Sequence, residues 1–179
     1  YEPYWWLHAK PYLNEQRDWQ SNADVVIIGS GYTGLSAALT LLDKKLKVVV
    51  IDSQLPGYGA SSRNGGITSG SIKPSFKVLK KRFGLEQAKK IVQEGDRARN
   101  DLYSFIRNEK IECDLEQNGM FIGATSIKSF DNQQRESEEL HEAVKSETVL
   151  VDKKNVNNFI DSPKYVGGSF DKNVGSIHP

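Results

Sequence analysis

One segment constrains this chain more than any other, residues 24–52 of its 179. After Asp24, Val25-Val26-Ile27-Ile28 is a continuous apolar run, β-branched throughout, the pattern expected of a strand buried on both faces of a parallel sheet. Gly29-Ser30-Gly31-Tyr32-Thr33-Gly34 interrupts it. Residues 35–44 then take helical spacing, with Leu35, Ala38, Leu39 and Leu42 on one face, and Lys47-Val48-Val49-Val50-Ile51 forms a second buried strand that ends at Asp52. Strand, helix and strand follow one another within the length of a βαβ unit, which predicts an α/β fold with a parallel sheet.

The glycine spacing G-x-G-x-x-G is weak evidence alone and strong evidence in this context, between a strand and a helix with an acid closing the next strand. Gly29 lets the chain turn off the strand, Gly31 leaves room for a pyrophosphate against the backbone, and Gly34 lets the helix approach the sheet. The N–H groups opening the helix, at Tyr32 and Thr33, and the helix dipole favour phosphate anions, the dipole contributing ~0.3–1 kcal/mol. Asp52, followed by Ser53, stands where a carboxylate accepts from the ribose hydroxyls of an adenosine and repels a 2′-phosphate, which disfavours NADP. The reading is a Rossmann-like FAD/NAD(P)-binding fold. Against it stands a purely structural turn with Asp52 capping a loop, and the fingerprint by itself leaves NAD and FAD open.

Residues 56–66 are too rich in small side chains for a core element and read as a loop hugging a ligand, or as a flexible linker. Within it, Gly59-Ala60-Ser61-Ser62-Arg63-Asn64-Gly65-Gly66 offers backbone N–H groups and the short polar side chains of Ser61, Ser62 and Asn64 to phosphate. Arg63 either brings a positive charge to the phosphates or anchors the loop through a buried ion pair, its fork of donors being suited to bracing backbone carbonyls and carboxylates. Further along, residues 85–107 predict a long helix with Leu85, Ala88, Ile91, Val92, Leu102, Phe105 and Ile106 on its apolar face. Residues 111–115 and 120–124 flank Asn118-Gly119, a hairpin signal. A helix over 127–144 and strands over 149–151 and 165–170 follow. The lysines and arginines between Lys73 and Lys90 read as solvated helix faces.

With these motifs in place, the sequence resembles the D-amino-acid-oxidase-like family of FAD-dependent amine oxidoreductases. It is most similar to the γ-glutamylputrescine oxidoreductase type, with glycine and sarcosine oxidases more distant. The resemblance rests on residues 24–38 and 57–66, and extends through Ile111-Glu112-Cys113-Asp114, Gly119-Met120-Phe121, Tyr165-Val166-Gly167-Gly168 and Gly175-Ser176-Ile177-His178-Pro179. It implies FAD as cofactor, with residues 61–66 running beside the pyrophosphate and ribityl chain toward the flavin. It implies oxidation of a C–N bond of a small amine or amino acid by hydride transfer to the flavin, with oxygen as the expected acceptor; a dehydrogenase passing electrons to a carrier stays open. Ser62 stands where such relatives often carry Gly, and Asp52 where they usually carry Glu. His178 either opens a helix near the flavin or is a turn residue.

Family members are longer than this chain and return to the FAD fold later in sequence. The expected organisation is therefore an arm over residues 1–23, the N-terminal part of an FAD-binding domain over 24–110, the start of an α+β substrate or cap region over 111–170, and a truncated return over 171–179. A parallel sheet of two or three strands is thin beside the usual ~4–6, so the chain is expected to be a fragment, completed by a C-terminal half or a partner chain, with no amine oxidase turnover of its own. No general base can be nominated, and His141 reads as solvent-facing. The alternatives are an NAD-dependent dehydrogenase and a non-catalytic FAD-binding fragment.

Composition limits the remaining classes. With 24 Lys+Arg against 23 Asp+Glu the net charge is +1, without the basic excess of a nucleic-acid binder. No run of about 18 apolar residues suggests a membrane span, and Tyr4, Trp5 and Trp6 read as a group that caps a core or an interface, with a membrane-interface anchor as the alternative. A single cysteine, Cys113, and the lack of a secretory signal point to a cytoplasmic protein without disulfides and without a metal site.

Overall fold

The computed structural model describes residues 1–12 and 22–179. Part of the expected arm, residues 13–21 with Trp19, lies outside the described residues. The chain divides into two compact units, Tyr1–Gly66 with Pro179, and Ile67–His178.

The first unit opens with a 3-10 turn at Tyr4–Leu7 and continues with β1 (Val25–Ile28), α1 (Tyr32–Asp43) and β2 (Val48–Ile51). β1 and β2 pair in parallel, Val25 opposite Val48 through Ile28 opposite Ile51. The connection between them is the helical crossover that a parallel pair requires. A second 3-10 turn, Ala60–Ser62, lies in the loop that follows.

Two expectations are corrected in this unit. β1 is not buried on both faces: Val26 is 56% and Ile28 86% exposed. On α1, Ala38 is buried while Leu35, Leu39 and Leu42 are exposed. Apolar spacing marks a surface fit for burial and does not say whether these residues meet a partner.

The second unit contains β3 (Ile67–Thr68), α2 (Phe76–Phe83), α3 (Leu85–Asn108), β4 (Met120–Ala124), α4 (Ile127–Val144), β5 (Val149–Asp152), β6 (Gly167–Asp171) and β7 (Gly175–Ser176). Its main sheet has the order β4-β6-β5, antiparallel throughout, and β3 pairs with β7 as a short ribbon. Phe76 and Leu79 of α2 and Ala88 of α3 are buried together, packed by Ile91, Val92, Leu140 and Ala143. Burying a side chain such as Phe or Leu contributes roughly 1.5–3 kcal/mol. Phe121 stacks on Phe159 at 4.9 Å, and Phe159 meets Phe170 at the same distance. Ser126 caps α4, its hydroxyl accepting from the N–H of Ser129.

The hairpin expected around Asn118-Gly119 does not form. Residues 111–115 are not a strand; Glu116 instead bridges Ser176, and β4 pairs with β6 far along the chain. Gly119 does take a positive φ of 80°, so the local turn preference is met, but strand pairing is decided by distant partners. On α3, Ala88 and Ile106 are buried as expected, whereas Leu85 and Phe105 are exposed. The basic stretch is broken at Gly84, whose φ of 80° separates α2 from α3. No helix among the described residues is long and apolar enough to cross a membrane.

Candidate dinucleotide site

All fifteen candidate residues from Gly29 to Gly66 fall in the first unit. Gly29 has a φ of +107°, a conformation closed to ordinary L side chains, and its N–H donates to Ile51 O at 2.8 Å. The turn off β1 is thus hydrogen-bonded to the end of β2. A Cβ on Gly34 would lie 2.0 Å from Gly29 O and 3.3 Å from Ile27 Cγ2. No side chain fits there, and α1 packs against the turn itself. Gly31 is the N-cap of α1 in extended conformation, and a Cβ on it would lie 2.9 Å from Ser61 Oγ.

Asp52 follows β2 directly. Its Oδ2 accepts from both the N–H and the hydroxyl of Ser30, each at 2.7 Å, and its Oδ1 accepts from Gln54 N–H at 3.0 Å. The Ser30 backbone hydrogen bond, then that of Gln54 and the Ser30 hydroxyl, hold the carboxyl at about 2, below its ordinary 3.8. Asp52 is therefore ionised at any neutral pH. Each carboxylate oxygen can accept more than one hydrogen bond, so acceptor positions remain beside those already used.

The small-residue loop returns to the glycine turn. Gly57 N–H donates to Ser30 O at 3.2 Å, and the Ser61 hydroxyl accepts from Tyr32 N–H at 3.0 Å, at the first turn of α1. Asn64 ties the loop internally, donating to Ala60 O and Ser61 O and accepting from Gly66 N–H. Ser62 is buried, its Oγ under Gly57, where a Cβ would come within 2.9 Å of it. Ser53, Gly59, Ala60, Arg63, Asn64 and Gly65 are exposed, as are Tyr32 and Thr33 at the helix start.

The buried ion pair expected of Arg63 is corrected: the residue is exposed and its donors reach backbone carbonyls, which brace the loop without a carboxylate. Nε donates to Tyr58 O at 2.9 Å, Nη2 donates to Tyr1 O at 2.8 Å, and the guanidinium lies over the Tyr58 ring, 4.7 Å from its centroid. His178 lies in irregular backbone, its N–H donating to Cys113 O at 2.7 Å. His141 is exposed and its Nδ1 contacts Ser146 O.

The family model described as FAD dependent oxidoreductase (DAO) matches residues 24–179. The chain belongs to this family. It is 30% identical over 156 residues to the γ-glutamylputrescine oxidoreductase of Escherichia coli (strain K12), which covers 87% of this chain and 36% of the relative. It is 31% identical over 158 residues to the probable oxidoreductase OrdL of Haemophilus influenzae, covering 88% and 37%. Among solved structures, L-amino acid deaminase from Proteus vulgaris superposes with a TM-score of 0.68 at 18% identity, over 93% of this chain and 37% of that one. The chain thus spans little more than a third of the length of the curated relatives it matches.

Three residues in contact with this turn and loop escape a reading by spacing. Ser30 occupies a variable position of the fingerprint, yet it holds Asp52 twice. Trp5 and Tyr1 reach the loop from the arm, through Asn64 O and Arg63. Only the clustering of Tyr4, Trp5 and Trp6 hinted that the arm covers something.

Proposed function

We propose that this chain is the cofactor-binding front part of a FAD-dependent oxidoreductase that oxidises the C–N bond of a small amine or amino acid. The observation that carries the reading is the ionised Asp52 carboxylate, fastened to Ser30 at the end of β2 beside the glycine turn that opens α1. The residues fit a dinucleotide. The Gly29 turn and the side-chain-free Gly31 let a diphosphate approach the start of α1, where the helix dipole favours an anion and the Tyr32 N–H is shared with the Ser61 hydroxyl. Asp52 accepts from a ribose through its remaining lone pairs and repels a 2′-phosphate. The loop over 59–66 offers further N–H groups beside those of Ser62, Arg63 and Gly66, which are donated within it. Membership in a FAD-dependent family favours FAD over NAD as the occupant.

When bound, the flavin supplies the centre that accepts a hydride, while the protein supplies orientation and polarity. Amines of the γ-glutamylputrescine kind head the substrate panel because the 30% identical relative carries that name. The substrate-facing groups belong to the longer polypeptide, or to a partner chain that completes it.

The test uses the intact protein. It should purify with flavin absorbance and release peroxide, or reduce an electron carrier, with one of a panel of primary and secondary amines. Asp52→Asn should weaken FAD about 10- to 100-fold, the worth of hydrogen bonds to a charged group. Residues 1–179 alone should bind nucleotide without turnover. A colourless intact protein with no affinity for added FAD would end this reading.

A further inference from the structure

The arm ahead of β1 is seated on the loop that follows β2. Pro3 is less than 2% exposed and Trp6 is buried, its ring 5.8 Å from that of Tyr58. Trp5 donates its indole N–H to Asn64 O at 2.8 Å, and Tyr1 O accepts from Arg63 Nη2 at 2.8 Å. Arg63 and Asn64 are adjacent, so the arm takes hold of the loop at two successive residues, one through a carbonyl and one through a side chain. The same two residues also brace the loop from within, Arg63 on Tyr58 O and Asn64 on Ala60 O, Ser61 O and Gly66 N–H. Gly57, Gly59, Gly65 and Gly66 give this loop unusual freedom when unfastened, and ordering each residue costs roughly 1–2 kcal/mol.

We propose that the N-terminal arm is a positioning clamp for the cofactor loop, with the Trp5 indole and the Arg63 fork holding residues 57–66 in the shape that receives the dinucleotide. The proposal rests on the reading of that loop as cofactor-binding. The clamp orders the loop in advance, so less of the binding energy is spent on ordering it when the ligand arrives. Trp5 and Arg63 act as positioning residues: the first holds the Asn64 carbonyl, and the second works through geometry rather than through its charge.

The experiment measures FAD affinity by flavin fluorescence quenching in the intact protein, together with the visible circular dichroism of bound flavin and the melting temperature of the apoprotein. Trp5→Phe keeps an aromatic ring, though a smaller one, and removes the donor; Arg63→Lys keeps the charge and removes the fork. Each should weaken FAD about 5- to 10-fold, the equivalent of one hydrogen bond, and alter the dichroism of bound flavin, with the apoprotein melting as before. Arg63→Gln should match Arg63→Lys. Retained affinity in Arg63→Lys with loss in Arg63→Gln would mean that Arg63 acts as a phosphate charge, and would overturn its part in the clamp. An affinity loss that only tracks a lower apoprotein melting temperature overturns the proposal in favour of a structural arm. Wild-type protein that binds FAD while Trp5→Phe binds equally well overturns the clamp alone; wild-type protein that takes up no FAD overturns the functional reading with it.

Discussion

Leu79 of α2 and Leu39 of α1 each belong to a helix with an apolar stripe, yet Leu79 is 3% exposed and Leu39 is 47% exposed. The contrast extends to the units around them. In the second unit, α2, α3 and α4 close on one another around Phe76, Leu79 and Ala88, and Phe121 of β4 and Phe170 of β6 each meet Phe159. In the first, Val26, Ile28, Leu35, Leu39 and Leu42 all remain exposed. Its order comes instead from hydrogen bonds around the turn, those of Gly29 N–H, Gly57 N–H and the Asp52 carboxylate. The second unit is held by a core, the first by a knot of polar contacts.

The largest effect should fall on the core. Leu79→Ala should cost about 2–5 kcal/mol by urea denaturation, and a loss below 1 kcal/mol would dissolve the contrast. Gly34→Ala comes next. A methyl group 2.0 Å from Gly29 O must displace backbone, at a cost of about 1–3 kcal/mol, with FAD affinity falling alongside. Leu39→Ala in the same 179 residues should cost less than about 1 kcal/mol, because half of that side chain already meets water.

The smallest effect is a pH dependence shared by the two units. Asp52 and Glu147 both titrate below their ordinary values of 3.8 and 4.5, Asp52 through Ser30, and Glu147 through the Asn173 amide and then Lys172. A carboxylate with a depressed folded value stabilises above its unfolded value and loses that contribution as pH falls through the folded one. Stability should therefore be flat from these groups between pH 5 and 8 and decline only in acid, for Asp52 between about 3.8 and about 2. Urea midpoints across that range should show a shallower acid limb in Asp52→Asn and in Glu147→Gln; an unchanged limb in both would remove these contacts from the account.

Much of the frame was legible in the sequence because it is local. β1, β2, α3 and α4 follow from runs and periodicity, and the helix expected over 127–144 matches α4 residue for residue. α1 begins earlier than the apolar spacing suggested, at Tyr32 inside the fingerprint, because the glycine turn itself launches the helix. What failed depended on distant partners. Asn118-Gly119 has the chemistry of a tight turn, but β4 finds its neighbour in β6, and no local preference carries that information. The site divided the same way: the residue types at 29–34 and 52 were readable, while the grip of Ser30 on Asp52 and of Trp5 on Asn64 comes from side chains meeting across 22 and 59 positions.

The contact of Gly34 with the Gly29 carbonyl has a consequence for anyone who would redesign this molecule. Strand exit, helix entry and packing distance are geared together at one point, so none of them can be adjusted without disturbing the others. A protein engineer reshaping this turn would find those positions closed and would have more freedom at Ser53 and Gln54, which are exposed.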